Sequence, residues 1–375
     1  MTETPFSAST PGRVCLFGEH QDYLGLPVIA AAISRRITID AQLNTSPEVR
    51  LSLPDIGHEV RFPIDLFPLP YQHNRDYFRS AMNVLYREEL RFSRGITASV
   101  TGTIPINAGT SSSSALLITW LNVLSQLADV PTHYSAHKLA ELGYMAEVLE
   151  FGEPGGMMDH YATAIGGLIY LESTPVIRVE TLPMRQLTGT FVLGDSGEPK
   201  DTIGVLRHVK FGMIGALEKL KIHHPNFDLR TAPLDSATEY RHLLTTDELS
   251  LLKSNLSDRD ILREALTLLR SPMSNDVRFG ELLNDHQDNL REAKRISTPK
   301  IDRMLTAAMQ AGALGGKING SGGGGCMFAY APHEPEAVAG AIERQGGRTH
   351  IITVDAGTQI FPANRPVLSR LPEKQ

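Results

Sequence analysis

Four stretches of the chain gather side chains and backbone suited to chemistry. Residues 103–115 read Thr-Ile-Pro-Ile-Asn-Ala-Gly-Thr-Ser-Ser-Ser-Ser-Ala and pass at once into the apolar run 116–124. A hydroxyl-rich loop of small residues that opens a helix brings N–H groups, hydroxyls and the positive helix end to one point, which suits a phosphate. Ser and Gly also make ordinary linkers and caps. A linker would not sit, without a polar spacer, between the alternation Ile96, Ala98, Val100, Gly102, Ile104 and a long apolar helix.

The second stretch, Gly18-Glu-His-Gln-Asp-Tyr-Leu-Gly25, is a polar loop between two strand-like runs, the kind of loop that carries chemistry. In the third, a helix expected over 134–151 carries Leu139, Gly143 and Glu147 at i, i+4 spacing, so Glu147 projects from the inward side. An acid there needs a partner, an ion pair or a place at the rim. A turn-rich segment, Gly152 to His160, follows and contains Asp159. The fourth, residues 315–325, is a glycine run that formally contains G-x-G-x-x-G. A dinucleotide fingerprint must follow a strand and open a helix, whereas here a helix is expected before the glycines and a strand after them. The glycines instead let backbone approach a ligand or another loop closely.

The elements that must hold these loops are legible in outline. Strands are expected at 7–17, 28–33 and 37–43, a hairpin around Val49, Leu51, Leu53, Val60 and Phe62, and a helix at 75–90. A strand at 96–104 leads to a helix ending near Ala128, and 167–171 is again strand-like. A lobe boundary is placed near 175–188, giving lobes 1–180 and 181–375, as a length of 375 residues suggests. Residues 190–193 begin the second half and lead to the polar loop 194–202. The chain is then mostly helical from 205 to 313, with a helix start at Thr298-Pro299 and a closing strand at 350–354.

A composition 41% hydrophobic and 21% charged is that of a globular protein. A formal net charge of −6 with no long basic run argues against nucleic acid or an anionic membrane as partner and favours a small molecule. No signal-peptide pattern and no membrane-length apolar run is present, so a cytoplasmic location is expected. Cys15 and Cys326 are too few and too far apart for a disulfide framework or a zinc site and read as buried small residues.

Taken in order, Pro11-Gly-Arg-Val-Cys-Leu-Phe-Gly-Glu-His-Gln-Asp-Tyr23, Pro105-Ile-Asn-Ala-Gly-Thr-Ser-Ser-Ser-Ser-Ala115 and Lys317-Ile-Asn-Gly-Ser-Gly-Gly-Gly-Gly-Cys326 resemble the three signature motifs of the GHMP kinases. Arg13, Glu19, His20, Asp22 and Tyr23 side with the galactokinase branch, as does the spacing of Glu147 from Asp159 and the sequence Gly156-Met-Met-Asp159. Cys15, Phe17 and Gln21 depart from that branch, and the loop 194–202 resembles the mevalonate-kinase one more closely.

The resemblance implies an α+β, two-lobed GHMP kinase fold, with an N-terminal lobe like ribosomal S5 domain 2 and a C-terminal ferredoxin-like lobe. It implies that Ala108, Gly109, Thr110, Ser111, Ser112, Ser113, Ser114 and Ala115 cradle ATP, and that Ser113 and Glu147 hold Mg²⁺. Asp159 would be the base or orienter of the attacking hydroxyl, and Arg13 would keep it ionised and stabilise the transferring phosphoryl group. Glu19, His20, Asp22 and Gly156, with Asp159, would contact a sugar. The expected reaction is phosphorylation of the anomeric hydroxyl of galactose or a related sugar. Mevalonate kinase or another GHMP kinase is the alternative, and a non-catalytic sugar and ATP sensor a remoter one. A monomer or small homo-oligomer is expected.

Overall fold

A computed structural model describes residues 5–106, 108–153, 155–183, 189–200, 204–205, 207–273 and 275–362. Asn107 of the middle motif, residues 201–202 of the polar loop and residues 184–188 of the expected boundary lie outside them.

The first sheet has eight strands among the described residues. They are β1 (Phe6–Phe17), β2 (Val28–Asn44), β3 (Glu48–Leu53), β4 (His58–Pro63), β5 (Gly95–Gly102), β6 (Leu168–Glu172), β7 (Arg178–Leu182) and a late-arriving edge strand, β12, introduced below. The two strands expected at 28–33 and 37–43 are one, β2. The polar Ser34-Arg35-Arg36 that suggests a break is a bulge, where the register on β1 jumps from Pro11–Arg36 to Gly12–Ile33. The bulge divides β2: its first residues pair with β6 and its last with β5.

On one face of this sheet pack α1 (Tyr77–Arg87), α2 (Ser112–Leu127), α3 (Ala136–Tyr144) and α4 (Met158–Ile165). The stretch 152–160, expected as loop up to a strand, opens α4, so Asp159 stands in a helix's first turn. The helix expected over 134–151 widens after α3 into a π-type turn at Met145–Leu149, a form enriched at functional sites.

The second sheet comprises β8 (Thr190–Asp195), β9 (Gly315–Ile318), β10 (Cys326–Tyr330) and β11 (Arg348–Thr353), ordered β11-β8-β10-β9 and wholly antiparallel. Between β8 and β9 run α5 (Gly212–His223), α6 (Thr246–Arg270), α7 (Asp276–Glu292) and α8 (Pro299–Gln310), and α9 (Pro335–Arg344) joins β10 to β11. This is the ferredoxin-like order. Thr245 and Glu248 form a capping box that starts α6, and the Thr298 side chain accepts from Ile301 N to start α8. The chain then returns, and β12 (Gln359–Pro362) pairs with β1.

As expected, a helix, α8, precedes the glycine run; the run's first residues form β9, and residues 319–325 are the turn of the β9–β10 hairpin. No helix opens after it, and the dinucleotide fingerprint remains excluded. Cys15 and Cys326 are free, buried and on strands rather than loops.

Strand β1 is buried on both faces. Cys15 and Ala8 face the core under α1–α4, whereas Val14, Leu16 and Phe17 pack with Leu262, Leu266, Phe279, Leu283 and Phe328 of the second half. One strand thus belongs to two cores and ties the sheets together.

Candidate active site

The three motifs meet at the end of β1. Arg13 N donates to Thr110 O at 3.1 Å, Cys15 N donates to the Asn319 side chain at 2.9 Å, and Asn319 Nδ2 donates to Gly109 O at 2.9 Å. Cys326 N donates to Ala108 O at 2.9 Å. The carbonyls of the hydroxyl-rich loop are therefore tied back to β1 and the glycine hairpin. Gly109 and Gly320 permit this approach: a Cβ on Gly109 would stand 2.7 Å from Asn319 O, and both residues take left-handed backbone. Ser111, also left-handed at φ 60°, turns the chain into α2. Its hydroxyl makes no cap and is a buried polar atom without a hydrogen-bond partner among the described residues.

Above this junction lies a cavity of about 720 Å³ lined by Arg13, Glu19, His20, Asp22, Ser113, Ser114, Glu147, Gly156, Asp159 and Lys200 among others. Arg13 reaches Asp159 Oδ1 from Nε at 2.8 Å and from Nη2 at 2.6 Å, and its Nη1 donates to Gly109 O at 2.5 Å. Burial alone would raise the pKa of Asp159, but the charge and hydrogen bond of Arg13, with His160 and Ser111 nearby, together outweigh it and hold the carboxyl below its ordinary range.

Glu147 Oε2 accepts from Ser114 Oγ at 2.7 Å and lies 2.8 Å from His160 Nε2. Burial raises its pKa, but the hydrogen bond and charge of His160 with the hydroxyls of Ser113 and Ser114 together outweigh burial and hold the carboxyl below its ordinary range. Ser113 lines the same cavity. A hydroxyl and a carboxylate are hard oxygen donors of the type Mg²⁺ takes, and the orphaned Ser111 hydroxyl at a helix start suits an arriving phosphate. The residues therefore fit both the ion and the nucleotide.

At the far wall, Asp22 packs against Gly156, where a Cβ would fall 1.5 Å from Asp22 Oδ2, so no side chain but hydrogen fits. Burial pushes the Asp22 carboxyl up to about 6. His20, with φ 63°, lies between Tyr23 Oη and Ser321 O, each 3.0 Å from a ring nitrogen, and burial lowers it to about 3, so the ring is neutral.

Glu19, expected as a sugar contact, lines the cavity with its carboxylate already engaged by the protein. One carboxylate oxygen is bound by Lys317 Nζ and the other by Gly320 N. Its acceptors are occupied by the glycine hairpin, and it works as a clasp between the first and third motifs. Arg13, His20, Asp22, Ser113, Ser114, Glu147, Gly156 and Asp159 line one cavity, whereas Ala108, Gly109, Thr110, Ser111, Ser112 and Ala115 are not among the residues that line it.

Several residues without an assigned role in the sequence reading stand here too: His160 on Glu147, Lys317 under Glu19, Lys210 over the Tyr23 ring at 4.8 Å, and Lys200. His160 follows Asp159 directly, and adjacency to an acid is the one signal available for it.

Comparison with known proteins agrees with this geometry. The chain matches the GHMP kinases N-terminal domain over residues 76–167, the GHMP kinases C-terminal model over 262–348 and the galactokinase galactose-binding signature over 1–42. It is 31% identical to the mevalonate kinase of Thermococcus onnurineus, over 94% of this chain and 97% of that protein. It is 26% identical to the galactokinase of Actinobacillus succinogenes, over 86% of this chain and 84% of that one. The crystal structure of Lactococcus lactis galactokinase complexed with galactose superposes with a TM-score of 0.82 at 23% identity, covering 96% of this chain and 95% of that one. With three interlocked loops around one ionised Arg–Asp pair, and relatives of this kind along nearly its whole length, the chain belongs to the GHMP kinases and is a phosphotransferase.

Proposed function

We propose that the protein phosphorylates a sugar hydroxyl with ATP, the acceptor being the anomeric hydroxyl of galactose or a related sugar. The observation that carries this reading is the acceptor wall. Asp22 and Asp159 line it, and His20 beside them is neutral. A neutral polyol can satisfy such a wall by donating hydroxyl hydrogens, whereas an anion would meet two carboxylates. The galactose-binding signature over residues 1–42 supports it.

In the proposed reaction Asp159, kept ionised by Arg13, orients the acceptor hydroxyl and accepts its proton as the new P–O bond forms to the γ-phosphorus and the bond from that phosphorus to the β–γ bridging oxygen breaks, ADP leaving with its electron pair. Arg13, whose guanidinium also faces Gly109, offsets charge on the transferring group. The N–H groups at the start of α2 and the hydroxyls of residues 110–114 hold the nucleotide phosphates. Ser113 and Glu147 would hold Mg²⁺, which would supply charge neutralisation to the phosphates. His160 and Ser114 keep the Glu147 carboxylate aimed into the cavity.

A mevalonate-type acceptor is the second reading, supported by the 31% identity to mevalonate kinases and by Lys210, a cation near Asp22 that could face a carboxylate. ADP release measured with galactose, other aldohexoses and mevalonate separates the two. Turnover with galactose or an epimer is expected; turnover with mevalonate alone would overturn the sugar reading. Asp22→Asn adds a second discriminant, since it should impair a sugar and favour an anionic acceptor.

A further inference from the structure

Lys200 is a cation of the cavity to which the three motifs give no task. It follows β8, so it comes from the second sheet, yet it lines the same cavity as Arg13, Ser113 and Asp159. The segment carrying it is pinned to the glycine hairpin. Ser196 N and Oγ donate to Gly325 O at 3.0 and 2.7 Å, and Gly325 N donates to Glu198 O at 3.1 Å. From the other side Thr298 Oγ1 donates to Glu198 Oε2 at 2.5 Å, and Lys300 Nζ donates to Ser196 O at 2.5 Å. Lys200 is two residues beyond this anchored stretch.

Its ammonium lies over the hydroxyl-rich loop. A Cβ on Gly109 would be 3.6 Å from Lys200 Nζ, and one on Gly325 would be 3.4 Å from Lys200 Cε. Gly109 is also the residue whose carbonyl accepts from Arg13 Nη1, so the two cations approach the same turn of backbone from opposite sheets. No ion pair to Lys200 forms among the described residues. Burial, and then the Arg13 charge, lowers its pKa. Two cations, Arg13 buried and Lys200 half-buried, beside one carboxylate are an arrangement that an arriving anion relieves.

We propose that Lys200 is a phosphate-binding residue of the transfer site, its ammonium donating to the terminal phosphoryl group of the nucleoside triphosphate across from Arg13. The terminal group is specified because Lys200 approaches the same Gly109 backbone that receives Arg13 and shares a cavity with the Arg13–Asp159 pair, where the acceptor would be attacked. A lysine serves here as a compact point charge with freely rotating donors. The proposal depends on the kinase reading of the site but not on which acceptor is used.

The test is titration of the full chain with Mg²⁺ and either ADP or the β,γ-imido analogue of ATP, by calorimetry, with no acceptor present. Lys200→Met should weaken the triphosphate analogue by about 10-fold or more while ADP stays within about threefold, the loss of one charge-assisted hydrogen bond. Lys200→Arg should keep most of the affinity. Should Lys200→Met fail to fold, Lys200→Gln gives the same comparison with a polar side chain of similar reach. Equal weakening of both nucleotides, or of neither, would overturn the proposal, as would a wild type that binds neither. A wild type that binds both nucleotides but phosphorylates neither galactose nor mevalonate would sink the acceptor reading alone.

Discussion

Two acid–base pairs stand a few residues apart in this molecule and do different work. Arg13 and Asp159 form one, with side chains 5% and 31% exposed; Lys317 and Glu19 form the other, at 0% and 3%. In the second pair all three Lys317 donors and both Glu19 oxygens are engaged. Lys317 Nζ donates to Glu19, to Cys15 O at 2.9 Å and to Ile318 O at 2.8 Å, while the other Glu19 oxygen takes Gly320 N. In the first pair both Arg13 contacts fall on Oδ1, and nearly a third of the Asp159 side chain opens to the cavity. A saturated pair holds backbone in place; a pair with an open face can take a ligand. The saturated pair rests in turn on Lys294, which donates to Glu19 O at 3.1 Å and binds Asp258 at 2.7 Å, both fully buried.

Breaking the saturated pair should have the largest effect. Lys317→Met leaves Glu19 buried with no counter-charge, at an expected cost of about 3–5 kcal/mol of folding stability, measurable by urea denaturation. The double variant Lys317→Met with Glu19→Gln should recover much of that loss, because the uncompensated charge is gone. A double variant no more stable than the single would show that the pair's charge is not what the hairpin depends on.

Breaking the open pair should cost less stability than breaking the saturated one, because it opens to the cavity and is partly solvated, and should remove turnover. Asp159→Asn keeps the shape, loses the proton acceptor, and should lower kcat on the order of 10²-fold or more. Near-normal turnover in the folded variant would reassign the role of Asp159. Nucleotide affinity should change little, which separates this variant from one at the phosphate loop.

The difference between the pairs also marks how far the sequence could be read. The hydroxyl-rich loop, Arg13, Glu147 and Asp159 were legible because each lies in a motif whose residue types state their chemistry, and strand alternation placed the loop before α2. Glu19 has the same residue type as a ligand-contacting acid, and nothing local distinguishes it from one. Its partners Lys317 and Gly320 are about 300 positions away, brought near only when β9 lies beside β1. The fusion of 28–33 and 37–43 was hidden for a related reason: Ser34-Arg35-Arg36 looks like a break, and only the cross-strand pairing of β1 shows a bulge. Lys200 was in plain view, but the fact that its loop returns over Gly109 is a tertiary property.

A milder test concerns the ion on the open side. Ser113→Ala removes one hydroxyl that lines the cavity beside Glu147 and should raise the Mg²⁺ concentration needed for half-maximal turnover by roughly 10-fold, with acceptor KM within about twofold. His160 continues to hold Glu147, so the carboxylate stays in place. An unchanged Mg²⁺ dependence would remove Ser113 from the ligand set and leave the hydroxyl to the phosphates.

The smallest expected effect comes from Asp22, which lies between the two pairs in character, neither saturated nor held ionised. Its carboxyl accepts from Tyr23 N at 2.9 Å, and burial raises its pKa to about 6 from an ordinary value of 3.8. A raised carboxyl binds its proton more tightly in the folded protein than in the unfolded one. The stability this adds is complete below the ordinary value and is lost as pH rises through about 6. Asp22→Asn should therefore be more stable than the wild type at pH 8, by about 1–2 kcal/mol after allowing for partial solvent access, and the advantage should shrink toward pH 4. Thermal melts of both proteins across that range read the difference directly. If Asp22 accepts a hydroxyl hydrogen from the acceptor in its ionised form, the wild-type acceptor KM should also rise as pH falls below about 6, and Asp22→Asn should lose that limb while keeping a weaker, pH-independent KM. A flat wild-type profile would place Asp22 with Glu19, as part of the frame rather than of the binding surface.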